Sequence, residues 1–353
     1  MITFKQIYFL PSLKQEWQCL PKDGNGSYDT QYAALYQLWI KYLPFCIRKC
    51  GIPVFVTCYE NGQLQMIAPL FRFFKGNYAL LGDVNGMDYN DFVYRQDTDK
   101  LKLLQSLRLY LHEHLSFSRI REDSDTWQVL MNEPFCHLKG FLQNTSISFR
   151  SYDNYYSQLT KSVRQNLRTA YNRAAKDGHQ LSFFVVNHND IVFVKKNKPW
   201  KANELPHYEQ QPVKSSSWKI LKKEMLNLFL TRHENRYDDN MKGFRKWYFF
   251  HMNYQTESVF KLSTSISCYI RLDNDMAVFC NGFIDEKKKS IFIPRLALNE
   301  KWSRYSPGII LVNEMVKYFS AHTSVSMLDL GLGNENYKLQ MGGVVHRTVW
   351  FDI

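Results

Sequence analysis

The pattern of apolar and polar positions in the first 150 residues predicts several short strands followed by a helix. Apolar residues dominate positions 51–73 on both sides of Asn61-Gly62, a dipeptide typical of tight hairpin turns. Further on, leucines repeat with helical spacing at positions 101, 104, 107 and 111, and Asp97 stands where a helix cap is expected. The first part of the chain is therefore predicted to be a mixed α/β unit that closes near Phe149.

The second part of the chain predicts a longer alternation of strands and helices. A polar helix is expected from Asp153 to Lys176, because Gly178 is a typical helix stop. The segment 195–217 is rich in proline and lysine, lacks periodicity and is predicted to be a loop or lid. From residue 180 onward we expect a strand, two helices (the second at 241–254), three strands (the first at 259–272), a helix, a strand, a short helix and a last strand.

Both parts of the chain pass through strands and helices in a similar order, which favours two related units. No repeat is visible residue by residue, so this interpretation depends on the order of elements alone. We predict an N-terminal domain at residues 1–150 and a C-terminal domain at residues 151–353.

Two segments resemble known acyltransferases. RYSPGIILVNEMVKYFSAHTSVSMLDLGLGNENYKLQMGG (304–343) is similar to the C-terminal signature of the CelD-like acetyltransferases, GNAT-superfamily proteins linked to cellulose and exopolysaccharide synthesis. KSVRQNLRTAYNRAAKDG (161–178) resembles a helix that they share with Fem-type peptidoglycan aminoacyltransferases, whose FK-x-x-FGG segment compares with residues 337–343 here. DYNDFV (88–93) is a weaker similarity. The resemblance covers most of residues 150–353 and implies an α/β fold of two tandem GNAT-like units, each a mixed central sheet flanked by helices.

Charge and cysteine content narrow the setting but not the activity. Lys and Arg number 45 against 33 Asp and Glu, a formal net charge of +12. This excess favours an anionic partner such as a phosphate-rich cofactor, nucleic acid, an acidic glycan or a membrane surface. No apolar run reaches the ~20 residues of a membrane span. The seven cysteines are scattered and form no CxxC pair, which favours a reducing, cytoplasmic location.

The residues that lead into the last long predicted helix are the candidate cofactor site. A helix start presents free N–H groups and a positive dipole end, so Ser306, Gly308 and Ile309 are candidates to hold the pyrophosphate of acyl-CoA. Arg304 would add a positive charge. Ser306-Pro307 is also an ordinary cap followed by proline in the first turn. Typical GNAT enzymes carry an R/Q-x-x-G-x-G/A loop that binds phosphate. This sequence departs from that pattern, because it has one glycine and a proline that has no N–H to donate.

Three residues are candidates for the chemistry of acyl transfer. The Fem-type resemblance implies that Lys338 polarises the acyl carbonyl, because an ammonium group stabilises the charge that develops on its oxygen. A solvated surface lysine is the alternative. Tyr337 is a candidate proton donor to the leaving group, as tyrosine is in many GNAT enzymes. Asp91, in the segment 88–93, is either an acceptor-side carboxylate that takes a proton or a turn residue.

Substrate binding is expected at a basic helix face and at a strand end. Arg164, Asn166 and Arg168 match the family pattern, and Lys161 shares the face of the two arginines. They are candidates to hold an anionic acceptor such as a nucleotide-sugar or a lipid-linked glycan; a solvated helix face is the alternative. Asp329 lies at the end of a predicted strand, shortly before two glycines. Ligands bind at such strand ends in open α/β sheets, and tight turns after the strand are an equally good explanation of the glycines.

These residues predict direct transfer of an acyl group, acetyl by preference, from acyl-CoA to an amine or hydroxyl of a glycan precursor or related metabolite. Neither metal-ligand spacing nor a nucleophile motif occurs, so no metal and no covalent enzyme intermediate are expected. Two alternatives stay open. One is an aminoacyl-tRNA-dependent transferase of the Fem type, with tRNA as a partner, and the other is a non-catalytic module that binds glycans or nucleic acid. The acceptor and the oligomeric state are left open.

Overall fold

The computed structural model describes residues 1–20, 32, 34–36, 39, 50–85, 87–187, 190–196, 207–212, 215–237, 264–286 and 288–353. They divide into two compact units, one of residues 1–144 and 346–353 and one of residues 145–345. The C-terminal residues 346–353 thus belong to the first unit, whereas the division predicted from the sequence at residue 150 places them in the second. The predicted helix 241–254 and residues 259–263 of the strand expected at 259–272 lie outside the described residues.

The first unit is built on an antiparallel sheet that contains the expected hairpin. Its described elements are β1 (Ile2–Ile7), a 3-10 turn (Leu10–Leu13), α1 (Lys14–Cys19), β2 (Gly51–Glu60), β3 (Gln63–Phe73), β4 (Tyr78–Leu80), α2 (Leu81–Asn85), β5 (Val93–Tyr94), α3 (Lys100–Leu111), β6 (Ser116–Arg121), α4 (Asp125–Leu130) and the greater part of β7 (His137–Ser148). The sheet order is β1-β2-β3-β4, with β5 beside β3. Asn61 and Gly62 have φ values of 53° and 79°, as a tight hairpin turn requires.

Helix α3 begins later than the leucine repeat suggests. Its cap is Asp99, whose Oδ1 accepts a hydrogen bond from the Lys102 N–H at 3.0 Å. The expected cap, Asp97, instead has a φ of 59° and lies before the helix. The apolar face is where the spacing predicts it, since three of the four repeated leucines are buried, at positions 104, 107 and 111.

The second unit combines a largely antiparallel sheet with five helices among its described residues. These elements are α5 (Tyr152–Gln158), α6 (Lys161–Lys176), β8 (Leu181–Val186), β9 (Asp190–Lys196), β10 (Glu209–Pro212), α7 (Ser215–Tyr237), β11 (Ser265–Leu272), β12 (Asp275–Asp285), β13 (Ser290–Leu298), a 3-10 turn (Glu300–Tyr305), α8 (Pro307–His322), β14 (Met327–Leu332), α9 (Asn336–Gln340) and the start of β15 (Val344–Asp352). The sheet order is β10-β9-β8-β11-β12-β13-β14. Neighbours run antiparallel except β13 and β14, which are parallel.

The single helix predicted from Asp153 to Lys176 is two helices, α5 and α6. Leu159 is buried in an extended conformation between them. The Thr160 side chain then accepts a hydrogen bond from the Val163 N–H at 3.3 Å and so caps α6. The end of α6 is as predicted, because Gly178 has a φ of 81°.

Part of the segment predicted as a loop or lid has regular structure. Glu209–Pro212 form β10, which pairs with β9, and α7 begins at Ser215. All four β10 residues are exposed, so this strand has no buried face and leaves no apolar alternation in the sequence. Residues 197–206 lie outside the described residues.

Helices α6 and α8 contribute a large share of the core of the second unit. α6 buries a stripe of residues spaced three or four apart, including Val163, Leu167 and Ala170. α8 is buried along most of its length and packs against α5, α6, β11 and β12. The start of α8 is therefore held in a fixed position relative to the sheet.

Candidate active site

The parallel strands β13 and β14 pair over a short stretch and then part. Their register joins three pairs: Ser290 with Met327, Ile291 with Leu328 and Phe292 with Asp329. β13 continues to Leu298 and β14 to Leu332, yet no further pair joins these two strands in the described residues. The chain leaves the end of β13 through the 3-10 turn and enters α8. The start of α8 consequently lies near the end where the strands part, the usual place for a ligand in an open α/β sheet.

The start of α8 leaves backbone donors open. Ser306 precedes the helix with a φ of 49°, and its side chain makes no capping hydrogen bond. Pro307 has no N–H, and the Ile310 N–H is bonded to the Ser306 carbonyl at 3.4 Å. The N–H groups of Gly308 and Ile309 remain at the positive end of the helix dipole. A Cβ built on Gly308 would meet no atom within 4 Å, so space is open beside these donors.

Arg304 joins the 3-10 turn to the end of α6. Its guanidinium lies 3.3 Å from Asp177 Oδ2, which also accepts a hydrogen bond from the Tyr305 hydroxyl at 3.0 Å. The Arg304 carbonyl in turn accepts a hydrogen bond from Arg173 at 2.5 Å. The side chain is 67 % exposed, so solvent reaches the guanidinium despite the ion pair. Arg304 is therefore a surface cation with one carboxylate partner among the residues that the structure describes.

Asp329 stabilises the turn that follows the paired part of β14. It is buried, and its Oδ1 accepts a hydrogen bond from the Gly331 N–H at 3.0 Å. Gly331 and Gly333 have φ values of 65° and 100°, a conformation that residues with side chains rarely adopt. The tight turn that the sequence offered as one reading of these glycines is present, at the end of the sheet where the strands part.

Lys338 is buried and its ammonium group is bonded to the same turn. Nζ donates to the Leu332 carbonyl at 2.8 Å and to the Gly333 carbonyl at 3.4 Å, and it lies 2.9 Å from a Glu335 carboxylate oxygen. Only 4 % of the side chain is exposed, so Lys338 is not the solvated surface lysine that sequence reasoning kept as an alternative. The neighbouring Tyr337 is 38 % exposed.

The basic face of α6 borders a cavity. This cavity has a volume of about 770 Å³, and its lining residues are Tyr156, Lys161, Ser162, Arg164, Gln165 and Arg168. We call it the basic cleft. Arg164 donates to the Ser157 carbonyl at 3.1 Å, and its guanidinium lies 6.0 Å from the centre of the Tyr156 ring. The structure thus brings Arg164 and Arg168 together, as the helical spacing predicts. Asn166 is exposed on α6 but does not line the cleft.

Asp91 belongs to the first unit and is part of a buried hydrogen-bond chain. Its Oδ1 accepts from the Phe92 N–H at 2.8 Å and from the Thr126 hydroxyl at 2.5 Å. The Thr126 hydroxyl also lies 3.1 Å from the hydroxyl of Tyr94. Burial, followed by the charge of Asp91, raises the pKa of Tyr94 well above its ordinary value, so that hydroxyl stays protonated.

A cluster of charged and polar side chains in the core of the second unit escaped sequence reasoning. Glu314 and Lys317 of α8 are both fully buried and form an ion pair at 3.0 Å. Glu314 also accepts a hydrogen bond from the Tyr171 hydroxyl at 2.5 Å, and Asn313 bonds to Tyr171 at 2.8 Å and to Tyr152 at 3.2 Å. We call these five residues the buried charge cluster.

The cluster had one visible signal, a Glu and a Lys three residues apart within the apolar run of α8. Its aromatic partners come from α5 and α6, far away in sequence. Burial, followed by the charge of Glu314, raises the pKa of Tyr171 well above its ordinary value. The Tyr171 hydroxyl therefore keeps its proton and donates a hydrogen bond to the Glu314 carboxylate.

Two classes of site find no support in the described residues. No group of three or more His, Cys, Asp or Glu side chains is arranged to hold a metal ion in that part of the chain. No helix built from those same residues is long and apolar enough to cross a membrane.

Residues 270–339 match the model of the acetyltransferase (GNAT) domain. The matched stretch lies within the second unit. The matched residues include β12, β13, α8 and β14, and therefore the parted strands and the open helix start. Because GNAT-type domains are acyltransferases, the match supports a transferase. No curated protein matches the chain.

Three solved structures resemble the whole chain. A conserved protein of unknown function from Bacteroides thetaiotaomicron VPI-5482 is 10 % identical with a TM-score of 0.54, covering 100 % of this chain and 99 % of that one. FemX is 10 % identical with a TM-score of 0.53, covering 99 % and 96 %. L-PGS from Bacillus licheniformis is 11 % identical with a TM-score of 0.52, covering 98 % and 91 %. At such identities the similarity is one of fold, and it confirms the predicted α/β fold of two GNAT-like units. Membership of the CelD-like family stays a prediction.

Proposed function

We propose that this protein is an acyltransferase that moves an acyl group, acetyl by preference, from acyl-CoA to an amine or hydroxyl of a glycan precursor or related metabolite. The carrying observation is that the GNAT-type match covers the stretch in which β13 and β14 part beside the open start of α8. The CelD-like resemblance of residues 304–343 supports a role in polysaccharide biosynthesis, and the cysteine pattern supports a cytoplasmic location.

The start of α8 fits a donor that carries a pyrophosphate. The N–H groups of Gly308 and Ile309 would bind phosphate oxygens, with the Ser306 hydroxyl as a further donor. Arg304 would add a positive charge at the rim of the site, because 67 % of its side chain is exposed. Acyl-CoA, when bound, would supply a thioester carbonyl that an amine or hydroxyl can attack.

In this proposal Lys338, Tyr337 and Asp91 act on the reacting groups by direct transfer, without a covalent enzyme intermediate. Lys338 would polarise the acyl carbonyl after exchanging one of its bonds to the turn carbonyls at 332 and 333 for the substrate oxygen. Tyr337, which is partly exposed, would donate a proton to the leaving group. Asp91 would take the proton of the acceptor.

The acceptor would bind through the basic face of α6 and the end of β14. Arg164 and Arg168 would contact its negative charges from the basic cleft, with Asn166 and Asp329 as hydrogen-bonding groups. Acceptor binding at these residues is a separate proposal from donor binding at α8.

A second candidate is an aminoacyl-tRNA-dependent transferase of the Fem type. The net charge of +12 and the three cations of the basic cleft favour it, because tRNA is a polyanion. It predicts tRNA binding that weakens steeply with salt, and the absence of binding at low salt would exclude it. A non-catalytic module for glycans or nucleic acid would bind its ligand without turnover.

The first test is thermal denaturation of the whole protein with acetyl-CoA, longer acyl-CoAs and free CoA. A ligand that binds the folded state raises its stability, by about 2.7 kcal/mol at one hundred times Kd. We expect a rise with acyl-CoA, and the absence of any rise across the series would contradict the proposed donor.

A pair of variants connects this binding to α8. Gly308→Glu adds a carboxylate where space is open and where the helix dipole favours it, so the fold should be retained. The same carboxylate repels phosphate, and we expect the rise with acyl-CoA to be lost. Gly308→Ala is the matched control, because it adds the Cβ without the charge.

A further inference from the structure

We infer that Thr145 is a positioning residue for Lys338. Its hydroxyl takes the Gly333 carbonyl and so leaves one N–H of the ammonium group available for the acyl oxygen of the substrate. This role deepens the proposed function, and it rests on that function for the conclusion that Lys338 polarises an acyl carbonyl. Thr145 lies in β7 and is fully buried.

The three N–H donors of the Lys338 ammonium group are unequally engaged. The Leu332 carbonyl at 2.8 Å and the Glu335 carboxylate at 2.9 Å lie at ordinary hydrogen-bond distances. The third contact, with the Gly333 carbonyl, is 3.4 Å long and lies beyond the usual range of an N–H···O bond. One N–H of the buried ammonium group is therefore only weakly bonded.

The Thr145 hydroxyl explains this weak third bond. It donates to the same Gly333 carbonyl at 2.7 Å, the usual length of an O–H···O bond. A carbonyl oxygen can accept two hydrogen bonds, and here the hydroxyl makes the short one and the ammonium group the long one. When the ammonium group turns to a substrate oxygen, the Gly333 carbonyl keeps the bond from Thr145 and is not left without a donor. Exchanging this bond therefore costs less than exchanging either of the two shorter ones.

Close packing of the backbone fixes the direction of the Thr145 hydroxyl. A Cβ on Gly343 would lie 2.5 Å from the Thr145 methyl carbon and 2.6 Å from the Lys338 carbonyl oxygen, so the chain approaches both residues closely at this glycine. The χ1 angle of a β-branched residue is stiff, so the methyl group and the hydroxyl move together. The hydroxyl is thus held towards the Gly333 carbonyl in the turn after β14.

In the proposed transfer Thr145 acts through Lys338 and does not touch the substrate. The acceptor amine or hydroxyl forms a bond to the acyl carbon and loses a proton to Asp91, and the carbon–sulfur bond breaks as sulfur takes a proton from Tyr337. Solvent then removes the proton from Asp91 and restores that of Tyr337. The N–H released from Gly333 bonds the carbonyl oxygen while negative charge is on it.

Variants of Thr145 test this role through the release of CoA. Thr145→Ala removes the hydroxyl and the methyl group, and Thr145→Ser removes the methyl group alone. The probes are acetyl-CoA as donor and hydroxylamine as acceptor, with free CoA measured by chromatography. We expect Thr145→Ala to lower kcat about tenfold and to leave KM for acetyl-CoA within roughly twofold of the parent, because the lost interaction belongs to the transition state. Thr145→Ser should retain most of the parent kcat.

Thr57→Ala is the matched control. Thr57 is also fully buried and donates to a backbone carbonyl, that of Lys5 at 3.3 Å, but it belongs to the first unit. It should keep kcat and KM within roughly twofold of the parent. A loss of kcat here as large as in Thr145→Ala would attribute both losses to general destabilisation and would overturn the positioning role.

Urea denaturation tests the shared carbonyl without any ligand. In the parent background, Lys338 can move closer to Gly333 once the hydroxyl is gone, so the urea midpoints of Thr145→Ser and Thr145→Ala should differ little. In the Lys338→Met background no ammonium group takes over the carbonyl. The difference between the same two variants should then be at least about twice as large.

Three results would overturn the role of Thr145. They are a parent-like kcat in Thr145→Ala, an equal loss in Thr145→Ser, and a hydroxyl contribution to the urea midpoint that is the same with and without Lys338. The proposed function fails separately. If the parent neither binds nor turns over acetyl-CoA, the donor proposal is contradicted, and the denaturation comparison still decides whether the hydroxyl and the ammonium group share the carbonyl.

Discussion

The buried charge cluster and the basic cleft hold charge in opposite ways on packed helices of one unit. In the cluster, Glu314 and Lys317 lie side by side at 3.0 Å with no exposed surface, and tyrosine and asparagine side chains surround them. In the cleft, three cations line a cavity to which the described residues contribute no carboxylate. In the first arrangement the two opposite charges are paired within the chain, and in the second the cations have no carboxylate partner among the described residues.

This difference separates charges that serve the fold from charges available to a ligand. Buried ions are tolerated only with partners, because removing an ion from water is costly. Exposed cations keep their contact with water and do not bear this desolvation cost, so they can remain without a carboxylate partner. Both regions contain charged side chains. They differ in that the buried lysine contacts a carboxylate, whereas the described residues provide none to the cations of the cleft.

The largest expected effect breaks the buried pair. Lys317→Met keeps the length of the side chain and removes its charge, which leaves the Glu314 carboxylate buried without its cation. We expect a loss of about 3–5 kcal/mol in the free energy of unfolding, measured by urea denaturation.

The matched control is the double variant Glu314→Gln with Lys317→Met, in which no buried charge is left. It should recover most of the lost stability, because replacing a whole buried pair is often nearly neutral. If the double variant were as unstable as the single one, packing rather than charge would explain the loss.

Lys338 tests an intermediate case, a buried cation bonded mainly to backbone. Lys338→Met would leave the carbonyls of residues 332 and 333 without this donor, and we expect a loss of roughly 2–3 kcal/mol in unfolding free energy. Thermal and urea denaturation measure it. Lys301→Met, at an exposed cation paired with Asp275, is a suitable control and should cost less than about 1 kcal/mol. A Lys338 variant as stable as the parent would show that these bonds contribute little.

The sequence predicted the helix faces and the order of many elements along the chain better than the partners of individual side chains. Helical spacing placed Lys161, Arg164 and Arg168 on one face, because that relation depends only on the helix period. It did not show the break at Leu159-Thr160, since a capping threonine inside a polar stretch has no distinctive periodicity.

Contacts between distant segments lay beyond sequence reasoning. Lys338 was singled out by a family resemblance alone, and its bonds to the turn carbonyls arise only when β14 and α9 are folded. Glu314 meets Tyr171 from a different helix, and no local pattern links the two. Long-range pairing of this kind depends on tertiary structure, which a single sequence does not encode in its spacing.

Asp83 extends the comparison to a buried carboxyl in the first unit. It accepts hydrogen bonds from Asn90 at 2.6 Å and from the Ser118 N–H and hydroxyl at 2.9 and 2.8 Å. Burial nevertheless raises the pKa of Asp83 to about 6. The folded protein thus binds this proton more tightly than the unfolded chain, in which an aspartate pKa is about 3.9.

The sign of the pH dependence follows directly. The stabilising effect of this proton is present at low pH and is lost as the pH rises from about 4 to about 6, with a slope of at most about 1.4 kcal/mol per pH unit. Asp83→Asn should remove this contribution, so that its stability relative to the parent rises by roughly 1–2 kcal/mol across that interval. Urea denaturation at several pH values measures it, and parallel curves for the two proteins would contradict the assignment.

The smallest expected effect is a gain in stability when Lys161 of the basic cleft is replaced. It sharpens the comparison because the replacements in the buried charge cluster are expected to lower stability. Lys161→Glu replaces a cation by an anion in the first turn of α6, where the dipole favours negative charge, and it also relieves repulsion with Arg164. We expect the free energy of unfolding to increase by about 0.3–1 kcal/mol, whereas the same exchange at Lys176, near the negative end of the helix, should decrease it. Denaturation of both variants at low and high salt measures the pair, and salt should shrink both differences. If Lys161→Glu instead destabilised the protein, the lysine would be serving the fold, and the distinction between the cleft and the buried charge cluster would fail at that residue.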